Sequence, residues 1–150
     1  MPDDHDPASR DGFHRRLHQI AQSSLSPDTG QTPGMRRVEA ISGSSVGSQA
    51  LWMGQTHVAP DTRSANHHHG ESETGIYVAS GHPVFVFLDG DTERRLEASP
   101  GDYIYVPPWV PHREENPDPD DEAVVILART TQDAIVVNVE DLRWSEPPAG

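Results

Sequence analysis

The residues most able to do chemistry sit in one short run, N-H-H-H-G-E-S-E, which holds His67, His68, His69 and Glu73. A second piece, G-D-Y-I-Y-V-P-P-W-V-P-H from Gly101 to His112, supplies a further histidine. Alternate side chains of an extended strand point the same way, so His67 and His69 can reach one ion, and Glu73 keeps their parity. His112 would close the set. Three neutral imidazoles and one carboxylate suit one divalent transition metal, Fe, Mn, Zn, Ni, Co or Cu. Such a set leaves a position open for water, substrate or dioxygen, as a catalytic centre requires and a closed structural site does not. Two alternatives stay open inside the run. A register slip would bring in His68, and Glu71 could stand in for Glu73.

The elements that must hold these ligands are short strands. Arg37–Ile41, Leu51–Ala59, Gly75–Val78, Val84–Leu88, Arg94–Ala98, Tyr103–Val106, Ala123–Ala128 and Ala134–Val139 are rich in β-branched and aromatic residues. Gly, Pro and Asp punctuate them, and D-G-D at Asp89–Asp91 predicts a hairpin turn. The folded body contains no helical crossover, so a parallel α/β sheet is excluded. The pattern predicts an all-β protein, an antiparallel double-stranded β-helix or jelly-roll barrel. In the second strand Trp52, Gly54, Thr56 and Val58 share one face, and Met53, Gln55 and His57 share the other.

The chain has 150 residues, which predicts a single domain. Its apolar residues concentrate over 35–141, the expected barrel domain. Residues 1–34 form a polar N-terminal tail or arm, in which the spacing of Phe13, Leu17 and Ile20 predicts a short helix from Phe13 to Ala21. Residues 142–150 are expected to form a disordered C-terminal tail. The formal charge is -13, from 24 acidic and 11 basic residues, which argues against nucleic acid as a partner. There is no cysteine, hence no thiolate metal site and no disulfide framework. No apolar run is long enough to span a membrane and no signal segment opens the chain, so the expected location is cytoplasmic. The first strand presents an uncovered edge, which predicts a homodimer.

The two histidine pieces resemble the paired motifs of the cupins. In the first, five residues separate Asp61 from His67-His68-His69, three separate these from Glu73, and seven separate Glu73 from Gly81. In the second, five residues separate Gly101 from Pro107-Pro108-Trp109, two separate these from His112, and three separate His112 from Asn116. Asp61 and Trp109 take positions where the family usually has glycine, and Gly81 comes one residue late. The resemblance covers about Val38 to Val139 and implies a single-domain, often dimeric, conserved-barrel cupin. That family includes dioxygenases, isomerases, decarboxylases, lyases, polyketide cyclases and non-enzymatic binders, so the fold does not choose the reaction.

The metal ligands expected are therefore His67, His69, Glu73 and His112. His57 is the candidate pocket acid–base, and Trp109, Tyr77, Phe85 and Arg113 are the candidate substrate contacts. The expected function is a metal-dependent enzyme acting on a small oxygen-rich or aromatic metabolite, with dioxygenase chemistry foremost. A metal-dependent isomerase, cyclase or lyase is one alternative; a non-catalytic small-molecule-binding or sensor barrel is another.

Overall fold

Strict alternation along three stretches sets the architecture. Buried and partly open residues alternate through β2 (Trp52–Val58) and β10 (Ala123–Arg129), and through the first half of β5 (Thr74–Ser80). Each therefore lays one face on a core. The computed structural model describes residues 15–31 and 33–147. β1 (Met35–Ile41) and β8 (Tyr103–Val106) flank these three strands in a five-stranded sheet of order β1-β2-β10-β5-β8. A four-stranded sheet of order β3-β9-β6-β7 uses β3 (Thr62–Arg63), β6 (Val84–Asp89), β7 (Thr92–Glu97) and β9 (Arg113–Asn116). A ribbon pairs β4 (His67–His68) with β11 (Val137–Asn138). Every pairing is antiparallel, as the strand pattern predicts for a jelly roll.

The two sheets meet through one cluster. Trp52, Ile76, Val78, Val106, Val125 and Leu127 of the larger sheet pack with Phe85 of β6. Phe85, expected at a substrate, is thus a core residue, and its burial is worth roughly 2–3 kcal/mol.

Among the described residues helix is confined to single turns, including α1 (Gly43–Val46) and a 3-10 turn at Gln22–Ser24. The helix expected over Phe13–Ala21 falls partly outside the described residues. Over Leu17–Ala21 the chain has no helix, and Leu17 is 99% exposed. Further on, the N-terminal segment is tied to the sheet. Ser26 and Glu39 exchange backbone hydrogen bonds of 3.0 and 2.7 Å, and the Gln31 side chain bonds both backbone groups of Arg37. The β1 edge expected to recruit a second copy is therefore partly covered by the chain itself.

β9, sequence R-E-E-N, is a strand that propensity does not announce. Its Glu115 is buried on the outer face of the smaller sheet, where Arg113 Nε donates to it at 2.7 Å and Arg95 at 3.0 Å, with Arg63 at 3.6 Å. Burial pushes the Glu115 carboxyl up, but the bonds from Arg95 and Arg113 outweigh it and hold it below the usual glutamate value of 4.5. A depressed carboxylate contributes stability that is full above its unfolded value and lost as pH falls through the folded one. Glu115→Gln should therefore cost about 2 kcal/mol at neutral pH. Urea unfolding should show this gap closing below about pH 4; an equal gap at both pH values would refute the assignment.

Candidate metal centre

The ligands come from two places in the chain that the fold draws together. β4 is only two residues long, yet His67 forms an antiparallel bridge with His112, just before β9. His67 N donates to His112 O at 2.9 Å, and His112 N donates to His67 O at 2.8 Å. A bridge of this kind sets two side chains on the same face of neighbouring strands. His69 follows two residues after His67 and joins them. One ligating nitrogen from each of His67, His69 and His112 lies within 4.8 Å of the other two. The rings are mutually inclined, with centroids 4.6 to 5.0 Å apart.

The backbone decides which nitrogen is free. His67 Nδ1 lies 2.7 Å from Ala65 O, His69 Nδ1 2.9 Å from Ile135 O, and His112 Nδ1 3.0 Å from Val110 O. A carbonyl oxygen only accepts, so each Nδ1 carries the proton and each Nε2 keeps a lone pair. His112 Nε2 is buried with no hydrogen-bond partner among the described residues. Burial, then the neighbouring His112, drives the His69 value down to about 3. Burial and His67 lower that of His112 as well. Three neutral imidazoles with fixed tautomers and converging lone pairs are the donor set of a single divalent metal.

Glu73 is not part of this group. Parity counted from His69 assumes continuous strand, but the chain turns between the two residues. Gly70 has φ +57, and Ser72 N donates back to His69 O at 3.1 Å. A Cβ at Gly70 would also collide with Ile135, so the turn needs glycine. When β5 begins, Thr74 faces inward and Glu73 outward. Glu73 is exposed and accepts a 2.6 Å hydrogen bond from Tyr105, whose hydroxyl pKa is raised by that bond. Glu71 is exposed too, and His68 turns away, its Nδ1 accepting from Gly70 N at 3.0 Å.

His67 and His69 open on a cavity of about 340 Å³, lined among others by Thr56, Thr74, Glu114, Leu127 and Arg129. None of the expected contacts reaches it. His57 lies on the outer face of β2 and pairs with Glu122 at 3.2 Å. Tyr77 is on the outer face of β5 against Tyr103, with ring centroids 5.0 Å apart. Arg113 is held by Glu115 and Glu93. Trp109 packs on His68, ring centroids 5.7 Å apart, with φ +68 at a position where the motif favours glycine. Phe85 lines a separate apolar cavity of about 460 Å³, which touches His112 from Pro107, Pro111 and Leu142.

Two residues the sequence did not single out face the ligand cavity instead. Glu114 is paired across the sheet with inward-facing Phe85, and its carboxylate has no hydrogen bond or ion pair among the described residues. Arg129 ends β10, is 7% exposed, and stacks 3.9 Å above the Trp52 ring. Burial, then the like charge of Arg37, lowers its pKa to about 10, so it stays cationic at neutral pH. The available signal was positional: Glu114 shares parity with His112, and Arg129 shares it with the buried Val125 and Leu127.

In chelator-treated protein the folded state keeps His69 neutral down to about 3, while the unfolded chain protonates it near 6.5. The unfolded state then binds more protons, so stability falls as pH drops from 6.5 toward 3, by about 1.4 kcal/mol per pH unit for one histidine. His69→Ala should flatten that slope and remove the rise in melting temperature produced by added divalent metal. Parallel slopes for the two proteins, with the metal response intact, would refute the trio.

The comparisons with known proteins agree with this geometry. Residues 54–128 match the family model described as "Cupin domain". Among curated proteins none matches the sequence. Among solved structures, the polyketide cyclase RemF from Streptomyces resistomycificus is 20% identical with a TM-score of 0.68, over 83% of this chain and 86% of that one. Oxalate decarboxylase OxdC from Bacillus subtilis (S161A mutant) is 20% identical with a TM-score of 0.63, over 75% of this chain and 30% of that one. Lactobacillus farciminis oxalate decarboxylase, as a formate complex, is 18% identical with a TM-score of 0.64, over 78% and 34%. The chain spans only about a third of the length of these decarboxylases, and identities this low carry the fold alone. Matched over half its length by the family model, built from two antiparallel sheets and carrying the histidine trio at its core, the chain belongs to the cupin family.

Proposed function

We propose that this cupin is a metal-dependent enzyme of the lyase, isomerase or cyclase kind, acting on a small oxygen-bearing metabolite by moving a proton. The observation that carries the reading is the trio itself: three Nε2 lone pairs, tautomers locked by backbone carbonyls, with His67 and His69 at the wall of a cavity large enough for a small metabolite. A divalent metal held there would act as a Lewis acid, polarising a carbonyl or enolate oxygen. The chain's own contributions are orientation, shielding and proton transfer.

Glu114 is the residue placed to take and return the proton. It lines the same cavity, two residues from His112 and on the same face, and no cation neutralises it among the described residues. Glu73 cannot serve, because it faces away and is engaged by Tyr105. Met35, Leu127, Ala134 and Val136 make part of the cavity wall apolar.

Proton transfer is favoured over oxygenase chemistry because a carboxylate without a partner stands beside the trio. The named structural relatives, decarboxylases and a cyclase, point the same way at the level of fold. The non-catalytic alternative gives Glu114 no task. Among the described residues no helix is long and apolar enough to cross a membrane.

The test is exchange of α-protons for deuterium in simple 2-oxo acids and 1,3-diketones, followed by NMR with metal-loaded protein. Wild type should catalyse exchange, and Glu114→Gln should slow it by about 10²- to 10⁴-fold while keeping the metal. Oxygen uptake without exchange would move the protein to the dioxygenase class. Neither activity, with metal bound, would leave a binding barrel.

A further inference from the structure

Four buried side-chain polar atoms lack a hydrogen-bond partner among the described residues: Thr56 Oγ1, Thr74 Oγ1, His112 Nε2 and Arg129 Nε. The histidine nitrogen is accounted for by the metal centre. The other three belong to side chains that line the 340 Å³ cavity beside it. Buried donors left unmade are costly, and an unpaired buried cation more so. All three side chains line one cavity, where a bound ligand would meet the Arg129 guanidinium and, after rotation about χ1, the two threonine hydroxyls.

Register shows how the group is built. Trp52, Arg129 and Thr74 are direct cross-strand partners on β2, β10 and β5, so their side chains form one row on the inner face. Arg129 lies over the Trp52 ring, which holds the flat guanidinium in place. That ring in turn lies across Gly54, where a Cβ would collide with it and with the Val38 carbonyl. The acid whose charge offsets Arg129 is Glu39, but its two oxygens accept from Trp52 Nε1 at 3.0 Å and Ser44 Oγ at 3.2 Å. No carboxylate pairs with Arg129 among the described residues. Thr56, with Arg37 as its cross-strand partner, lines the same cavity further along the sheet.

The charge count sharpens the point. With Glu73 outside and Thr74 at the inward position, three neutral imidazoles cancel none of the charge of a divalent ion. Arg129 adds to it, and Glu114 is the only acid among the described residues that line the cavity. The cavity selects for an anion with oxygen acceptors.

We propose that Arg129 and the hydroxyls of Thr74 and Thr56 form a carboxylate subsite, and that the substrate is a small organic acid held by that carboxylate beside the histidine trio. This deepens the functional reading above and rests on it only for the chemistry, not for the binding. Arg129 is then a specificity residue, the part that Arg113 was expected to play.

Titration calorimetry with pyruvate, lactate and benzoate, each beside its uncharged amide, tests the subsite in metal-loaded and chelated protein. At least one acid should bind, its amide should not, and Arg129→Met should weaken the acid by roughly 10- to 100-fold, the loss of one charge-assisted hydrogen bond. Arg129→Lys should recover part of it. The melting temperature of Arg129→Met should stay level or rise, because a buried charge is removed while its stem still covers Trp52. Equal affinity of wild type and Arg129→Met, equal affinity for acid and amide, or no acid bound at millimolar concentration would each overturn the subsite. A fall in melting temperature with affinity unchanged would make Arg129 a purely structural group. Arg129-dependent binding that survives in chelated protein, with no metal taken up on reloading, would support the subsite while refuting the metal enzyme.

Discussion

The pair of backbone hydrogen bonds between His67 and His112 is the contact on which the site depends. It joins two segments separated by more than forty residues and fixes two of three ligands on one face without help from the side chains. The remaining order is imposed from outside the rings. Carbonyls at Ala65, Val110 and Ile135 take the Nδ1 protons, so the backbone of three loops selects the tautomer. This arrangement presents lone pairs before any ion arrives and reduces the reorganisation that binding requires. It also explains why the C-terminal segment, which offers no ligand, matters: Ile135 orients His69, and β11 pairs with β4.

A single turn then sets the charge of the centre. Between His69 and β5 the chain reverses at Gly70 and closes a hydrogen bond from Ser72 to His69, so the acid that follows arrives one position out of phase. Thr74 takes the inward place, Glu73 the outward one. No carboxylate stands among the converging groups, even though the whole chain carries a formal charge of -13. Net charge therefore describes the surface of this protein and not its site. The acids are mostly exposed, and the buried ones are answered, as Glu115 is by three arginines.

The larger sheet performs two tasks with one face. Its middle rows, Ile76 with Leu127 and Val78 with Val125, are apolar and make the core, while the row of Trp52, Arg129 and Thr74 at one end is polar and faces the histidines. The cost of burying Arg129 is lowered by the Trp52 ring and is offset further when an anion is present. The smaller sheet supplies Glu114 from β9, next in the chain to the buried ion pairs that hold Arg113. Packing and chemistry are thus divided along the strands rather than between domains.

Much of this was legible in the residues. Strand alternation over 52–58, 74–78 and 123–129 determined the antiparallel sheets, because a period of two is visible wherever one face is buried. The histidine spacing determined three of the ligands, because His67 and His69 share a strand-like parity that no turn interrupts. What lay beyond the sequence was decided by contacts between distant segments. Glu73 was lost to a turn that parity cannot see, and β9 was hidden because its buried face carries Glu115, which only a cluster of arginines from β3 and β7 makes tolerable. Glu114 and Arg129 look like ordinary surface charges until cross-strand register turns them inward. A linear pattern records which way a side chain points relative to its neighbours; which side becomes the interior, and what waits there, is settled only when the sheets close on one another.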